Sequence, residues 1–266
     1  MRRLSKPSHT HSHLITLLAT YEQNGRYHLI FPCAEADLLG YWKFTNPDPS
    51  NDRDTVLWLA EQCQGLADAL SKIHRYHTTS GSSLQHLKLD DLPQTNLEEE
   101  AAALQPHDAR PVRLIGCHGD IKPQNILWFP DPESKGGKGV LKITDFGIAQ
   151  FTPEHAESAR DRGLVPNSPS YRPPECDLPD VKICTSYTSY DIWTLGCVYL
   201  EFITWYFGGR GYLEEFVRRR WAVDAYWGGF ETDTFFAIEK DKDSKVPRAR
   251  VKESVTNVSF DYLDDD

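Results

Sequence analysis

The sequence predicts an α+β fold, a small strand-bearing N-terminal part followed by a larger and mainly helical part. Three patterns predict it. Two apolar runs flank the turn-forming Gln23-Asn24-Gly25, the signature of a hairpin. Leu59, Cys63, Leu66, Leu70 and Ile73 recur at steps of four, three, four and three, which places them on one face of a helix. Ile192 to Phe207 is apolar on every side, the pattern of a helix enclosed by protein. With 266 residues, 39% of them hydrophobic, the chain is long enough to bury a substantial core.

Taken in order, Leu14 to Thr20 and Tyr27 to Phe31 read as the two strands, the second closed by Pro32. Val56 to His77 is the amphipathic helix. Residues 78 to 110 lose all period and carry Ser80-Gly81-Ser82-Ser83 and Glu98-Glu99-Glu100, so a flexible insertion is expected there. Val112 to Ile115, Ile126 to Phe129 and Val140 to Ile143 are strand candidates, the last two flanking the loop Pro130 to Gly139 as a hairpin. Ile192 to Phe207 is expected to be the central pillar, with Leu213 to Ala222 a further helix. The charged stretch after Lys240, ending in Asp264-Asp265-Asp266, reads as a frayed tail.

Composition excludes several classes. Thirty-nine acidic against 29 basic residues give a net charge of -10, which repels nucleic-acid phosphates and anionic membranes. Six cysteines, at 33, 63, 117, 176, 184 and 197, contain no Cys-x-x-Cys pair and read as neither a zinc nor a disulfide framework. No signal peptide is read from the basic start and its short apolar run. The longest apolar stretch is too short to span a membrane and contains Glu201. The expectation is an intracellular protein, cytoplasmic or nuclear. The alternating His9, His11 and His13 lack an evident carboxylate or cysteine partner for a metal. Arg218-Arg219-Arg220 reads as a solvated helix face, and Cys117 as a packed small hydrophobe.

The chemistry is concentrated in two stretches. His118-Gly119-Asp120 runs into Ile121-Lys122-Pro123-Gln124-Asn125, and Asp145-Phe146-Gly147 ends a strand candidate. Phosphoryl transfer needs a carboxylate to orient the attacking hydroxyl and take its proton, and oxygen ligands for magnesium. Asp120 suits the first role; Asn125 and Asp145 suit the second. The five-residue step from Asp120 to Asn125 lets both side chains reach one centre, and Lys122 can neutralise charge on the moving phosphoryl group. Downstream come Ser168-Pro169-Ser170-Tyr171-Arg172-Pro173-Pro174-Glu175 and Asp191-Ile192-Trp193-Thr194-Leu195-Gly196. In this order, over about residues 13 to 220, the motifs resemble the eukaryotic protein kinase family, of the serine/threonine type common in filamentous fungi.

The resemblance implies a kinase-like fold: a remnant of the β-rich small lobe and hinge in residues 1–34, a mainly helical large lobe in 35–240 holding the insertion 78–110, and a tail in 241–266. It implies ATP and Mg2+ as cofactors. Lysine two residues after Asp120 implies protein substrates with Ser or Thr acceptors. Asp120, Lys122 and Asn125 are the implied catalytic residues, and Asn125 and Asp145 the implied magnesium ligands. Phe31 is the implied gatekeeper, and Cys33 and Ala34 would meet the adenine, so that Phe31, Cys33, Ala34, Lys122, Asn125 and Asp145 bind the nucleotide. Ser168 stands where the family has the Thr that contacts the catalytic Asp, and Asp191 is implied to hold the catalytic loop's backbone.

The chain also departs from the family. Upstream of residue 13 there is no Gly-rich loop, no strand with the phosphate-binding Lys and no helix with its partner Glu, so catalysis is expected to be impaired. Gly119 replaces the Arg that pairs with an activation-segment phosphate, and Glu175 lacks an identified partner. Two other readings stay open on the same residues. His-Gly-Asp is also the form found in small-molecule phosphotransferases resembling aminoglycoside or choline kinases, and a kinase-like scaffold without efficient catalysis fits the missing phosphate anchors.

Overall fold

The computed structural model describes residues 10–78, 112–134, 137–153, 168–178, 187–224, 228–240 and 247–257. The chain opens with the hairpin β1 (Ala19–Gln23) and β2 (Arg26–Ile30), closed by Asn24 and Gly25, both at positive φ as a two-residue hairpin turn demands. The first strand therefore starts at Ala19, not Leu14. Residues 13 to 15 are engaged elsewhere: Ile15 N–H bonds Ile143 O at 2.9 Å, and Ile143 N–H bonds His13 O at 2.9 Å.

After the hairpin, β3 (Ala36–Asp37) leads into the short helix α1 (Leu38–Gly40) and a π-type turn, Tyr41–Thr45. Helix α2 (Arg53–His74) is capped by Asp52, whose carboxylate accepts the Thr55 N–H at 2.7 Å. Its buried face runs through Thr55, Trp58, Gln62, Leu66, Ala69, Leu70 and Ile73. Leu59 and Cys63 from the predicted stripe are only partly buried, so the stripe is rotated toward Trp58 and Gln62. Gln62 earns its burial by accepting the Leu141 N–H at 2.9 Å.

Helix α2 stops at His74 because Tyr76–Thr78 becomes β4, paired antiparallel with β5 (Val112–Cys117). Thr78 is thus a strand residue, not the start of the insertion; residues 79–110 lie outside those described. Strands β6 (Ile126–Phe129) and β7 (Val140–Ile143) form the expected hairpin, joined by β3 into the order β3-β6-β7. Strand β8 (Gln150–Pro153) completes a second sheet, β4-β5-β8. Trp42, Trp58, Leu66, Phe202 and Trp205 form the centre of the main core between α2, the β6-β7 hairpin and the long helix α3 (Tyr187–Arg220).

Helix α3 merges the two predicted helices. It kinks at Gly209 (φ 63°), where a Cβ would lie 2.6 Å from the Pro47 carbonyl oxygen. The sequence predicts an α3 enclosed on all sides, yet Ile192 is 61% exposed and Leu200, Ile203 and Phe207 share that open face. Beyond it, β9 (Ala222–Asp224) pairs with β10 (Phe230–Thr232), and β11 (Phe236–Lys240) with β12 (Pro247–Val251). The expected frayed tail is corrected over 247–257. Strand β12 zips against β11, and helix α4 (Glu253–Thr256) buries Val255 against Cys197, Phe216 and Phe235. A boundary at residue 240 would cut this hairpin. Among the described residues no helix is long and apolar enough to cross a membrane.

Candidate active site

The site forms where β5 ends and β6 begins. The loop between them is held from below by Asp191 on α3, which is fully buried. Its Oδ2 accepts the His118 N–H at 2.8 Å and its Oδ1 the Gly119 N–H at 2.8 Å. His74, at the end of α2, brings Nε2 within 2.9 Å of the same Oδ2. Three donors around one buried carboxylate fix the loop's backbone and tie it to two helices. Gly119 sits at φ 80°, a left-handed conformation that costs a residue with a Cβ about 1 kcal/mol. The backbone here thus favours glycine at position 119.

His118 is fully buried. Its Nε2 lies 2.8 Å from the Thr144 carbonyl and its Nδ1 receives the Asp120 N–H at 3.3 Å, which together select the neutral tautomer protonated at Nε2. Burial lowers its pKa against the pull of Asp191, in keeping with that neutral form. The ring also meets Phe146 edge-on, with centroids 5.1 Å apart. The histidine is therefore a strut between the loop and the turn after β7.

Asp120 is the most heavily bonded side chain of the loop. Its Oδ1 accepts the Ser168 hydroxyl at 2.7 Å; its Oδ2 accepts the Lys122 ammonium at 2.7 Å and the Asn125 amide at 2.8 Å. Lys122 Nζ also lies 3.1 Å from Ser168 Oγ. Burial raises the Asp120 carboxyl, but the bonds from Lys122, Ser168 and Asn125 outweigh it and hold the pKa below the usual carboxylate range. Asp120 is ionised at neutral pH.

Asn125 and Asp145 are brought side by side by the β6-β7 hairpin. Ile126 pairs with Ile143, and the Thr144 N–H bonds the Asn125 carbonyl at 3.0 Å, so the residues flanking that pair share one end of the sheet. The Asn125 amide nitrogen is spent on Asp120, on its backbone carbonyl and on its Oδ2, which leaves the Asn125 Oδ1 to offer a lone pair to a cation. Asp145 is exposed at φ 63° and accepts the Gly147 N–H at 3.2 Å. One carboxamide oxygen and one open carboxylate form a hard-oxygen pair of the type magnesium takes. These residues fit the ion.

Phe31 and Cys33 are exposed and Ala34 is half-buried, on the non-strand segment joining β2 to β3. Glu35 N–H bonds Trp128 O at 3.3 Å, and Ala36 pairs with Trp128, so this segment enters the sheet beside the strand that follows Asn125.

Several residues that organise the site carry no signal the sequence reading used. His74 follows Leu70 by one turn on the same side of α2, but as a polar residue it does not register in an apolar stripe. The segment 168–178 is fastened by two buried pairs. Arg172 makes a forked contact with Asp177, the closest approach 2.8 Å. Glu201 on α3 accepts the Tyr171 hydroxyl and an Arg220 guanidinium N–H, both at 2.7 Å. Arg220 is only 1% exposed, stacked between Phe216 and Phe235, which corrects its reading as part of a solvated face; Arg218 and Arg219 do sit in solvent, paired with Glu215. Glu175 is exposed and makes no ion pair among the described residues.

Comparison with known proteins matches residues 115–209 to the protein kinase domain, the stretch that spans the loop, the β6-β7 hairpin and most of α3. Cyclin-dependent kinase E-1 of Arabidopsis thaliana is 38% identical over 88 residues, 33% of this chain and 17% of that protein. Protein kinase MCK1 of Saccharomyces cerevisiae is 42% identical over 96 residues, and the glycogen synthase kinase-3 homolog YGK3 of the same yeast 40% over 87, each covering 33% of this chain and 20% of the relative. The chain thus spans about a fifth or less of the length of these curated relatives. Residues 115–209, which carry the Asp120 loop and the Asp145 turn, are similar to the protein kinase domain and to these relatives.

Proposed function

We propose that the chain is a serine/threonine protein kinase that transfers the γ-phosphate of ATP to hydroxyl groups of protein Ser and Thr residues. One observation carries the reading: the ionised Asp120 carboxylate already takes a hydroxyl proton donor, Ser168, on one oxygen and an ammonium, Lys122, on the other, each at 2.7 Å. A carboxylate placed this way orients an acceptor hydroxyl and receives its proton as the oxygen–phosphorus bond forms. Lys122 sits where negative charge passes between donor and acceptor. Asn125 and Asp145 would hold magnesium, which neutralises charge on the nucleotide's phosphates when bound. Phe31, Cys33 and Ala34 would flank the adenine. The fastened segment 168–178 favours a peptide acceptor over a small molecule, because a pinned strap beside Asp120 can seat an extended chain.

The test is phosphotransfer from magnesium-ATP to a Ser-containing peptide by the chain and by its Asp120→Asn form. Removing the base is expected to slow transfer by about 10²–10⁴-fold. Equal rates would end the enzymatic reading. The melting temperature of the chain is expected to rise in magnesium-ATP; an unmoved melting temperature with no transfer would support a scaffold instead.

A further inference from the structure

Resting on the reading above, we infer that Ser168 is itself an acceptor: the site phosphorylates Ser168 within the same molecule, and the product closes the site to other hydroxyls. The Ser168 O–H donates to Asp120 Oδ1 at 2.7 Å, and its oxygen lies 3.1 Å from the Lys122 ammonium, which is bonded in turn to Asp120 Oδ2. A base for the proton and a cation beside the nucleophilic oxygen are the two things an acceptor requires of this site.

The placement is enforced by the backbone. Pro169 keeps Ser168 out of the helical region, and Ser168 is extended at φ -123°, ψ 102°. Downstream the strap is pinned by Arg172, which bonds both Asp177 and the Pro169 carbonyl, and by Tyr171 on Glu201. The neighbouring hydroxyls are committed elsewhere: Ser170 donates to Asp233 and Tyr171 to Glu201. Of the three hydroxyls on this strap, Ser168 is the one that meets Asp120.

In the step, Ser168 Oγ bonds the γ-phosphorus of the nucleoside triphosphate and the bond from that phosphorus to the β–γ bridging oxygen breaks. Nucleoside diphosphate leaves and the hydroxyl proton passes to Asp120 Oδ1. The resulting phosphoserine places a dianion against Asp120 and Lys122. A second acceptor then loses both the base and the cation. Phosphate on Ser168 accordingly silences the site.

The full chain is incubated with magnesium-ATP at several protein concentrations and its phosphosites are mapped by mass spectrometry. The expected result is phosphate on Ser168, accumulating at a first-order rate independent of protein concentration. It persists in Ser168→Thr, is absent from Ser168→Ala, and transfer to an added Ser peptide falls as Ser168 fills. A rate that rises with concentration, or peptide phosphorylation with Ser168 left unmodified, overturns the inference and leaves the kinase reading intact. No transfer to either acceptor overturns both.

Discussion

The β1-β2 and β6-β7 hairpins are both antiparallel two-strand units, the first built from the more polar strands, and they end in opposite environments. Tyr27 and Leu29 of β2 are 78% and 58% exposed, whereas Ile126, Leu141 and Ile143 of the second hairpin are fully buried. The difference lies in what covers each face. Strands β6 and β7 gain β3 on one edge, residues 13–15 on the other, and α2 across the face. Strands β1 and β2 pair only with each other among the described residues. A two-stranded ribbon with no second layer buries too little to stand firmly. The loop that carries Asp120 and Asn125 runs directly into the second hairpin, the better covered of the two.

The sharpest way to break this contrast is to strike a fastening of the well-covered body. Glu201→Ala strands the buried Arg220 guanidinium and the Tyr171 hydroxyl, and is expected to cost about 3–5 kcal/mol in urea unfolding; a loss under about 1 kcal/mol would show that this pair does not hold the body. Gly116→Ala comes next. Its Cβ would fall 2.2 Å from the Ile73 carbonyl oxygen, so unfolding measurements should show a loss of about 1–3 kcal/mol.

A smaller effect follows from charge. Asp120 has a depressed pKa in the folded state, so the unfolded chain binds this proton more tightly. Its contribution to stability is present above the usual carboxylate value near 4 and fades as pH falls through the lower folded value. Comparing the urea midpoints of wild type and Asp120→Asn across that range should show their difference shrinking on acidification, and a difference that grows would contradict the assignment. The smallest effect belongs to the open hairpin: Leu29→Thr should change stability by no more than about 0.5 kcal/mol. A loss like that of Gly116→Ala would mean the hairpin face is covered in solution.

Much of this arrangement was legible in the sequence where a local pattern carried it. Asn24-Gly25 announces its turn, the β6-β7 hairpin falls at its predicted residues, and the motif residues Asp120, Asn125 and Asp145 come to one end of one sheet. What escaped depends on contacts far apart in sequence. Trp58 and Gln62 turn inward on α2 because Gly139 O and Leu141 N–H receive them across the core. Arg220 reads as one of three surface arginines until Glu201, 19 residues and a kink earlier, draws it inside. The open face of α3 is illegible for the converse reason: an all-apolar run states that burial would be favourable, not that a neighbour is present to provide it.

Asn125 and Asp145 are proposed to hold a divalent ion beside the Asp120 carboxylate, and this is the reading most directly open to measurement. With Mn2+ replacing Mg2+ in the presence of ATP, NMR should show the Asn125 side-chain amide and the Gly147 N–H broadened by the paramagnetic ion, while Gly25 at the tip of the first hairpin stays sharp. Sharp signals from Asn125 and Gly147 at saturating nucleotide would contradict the account.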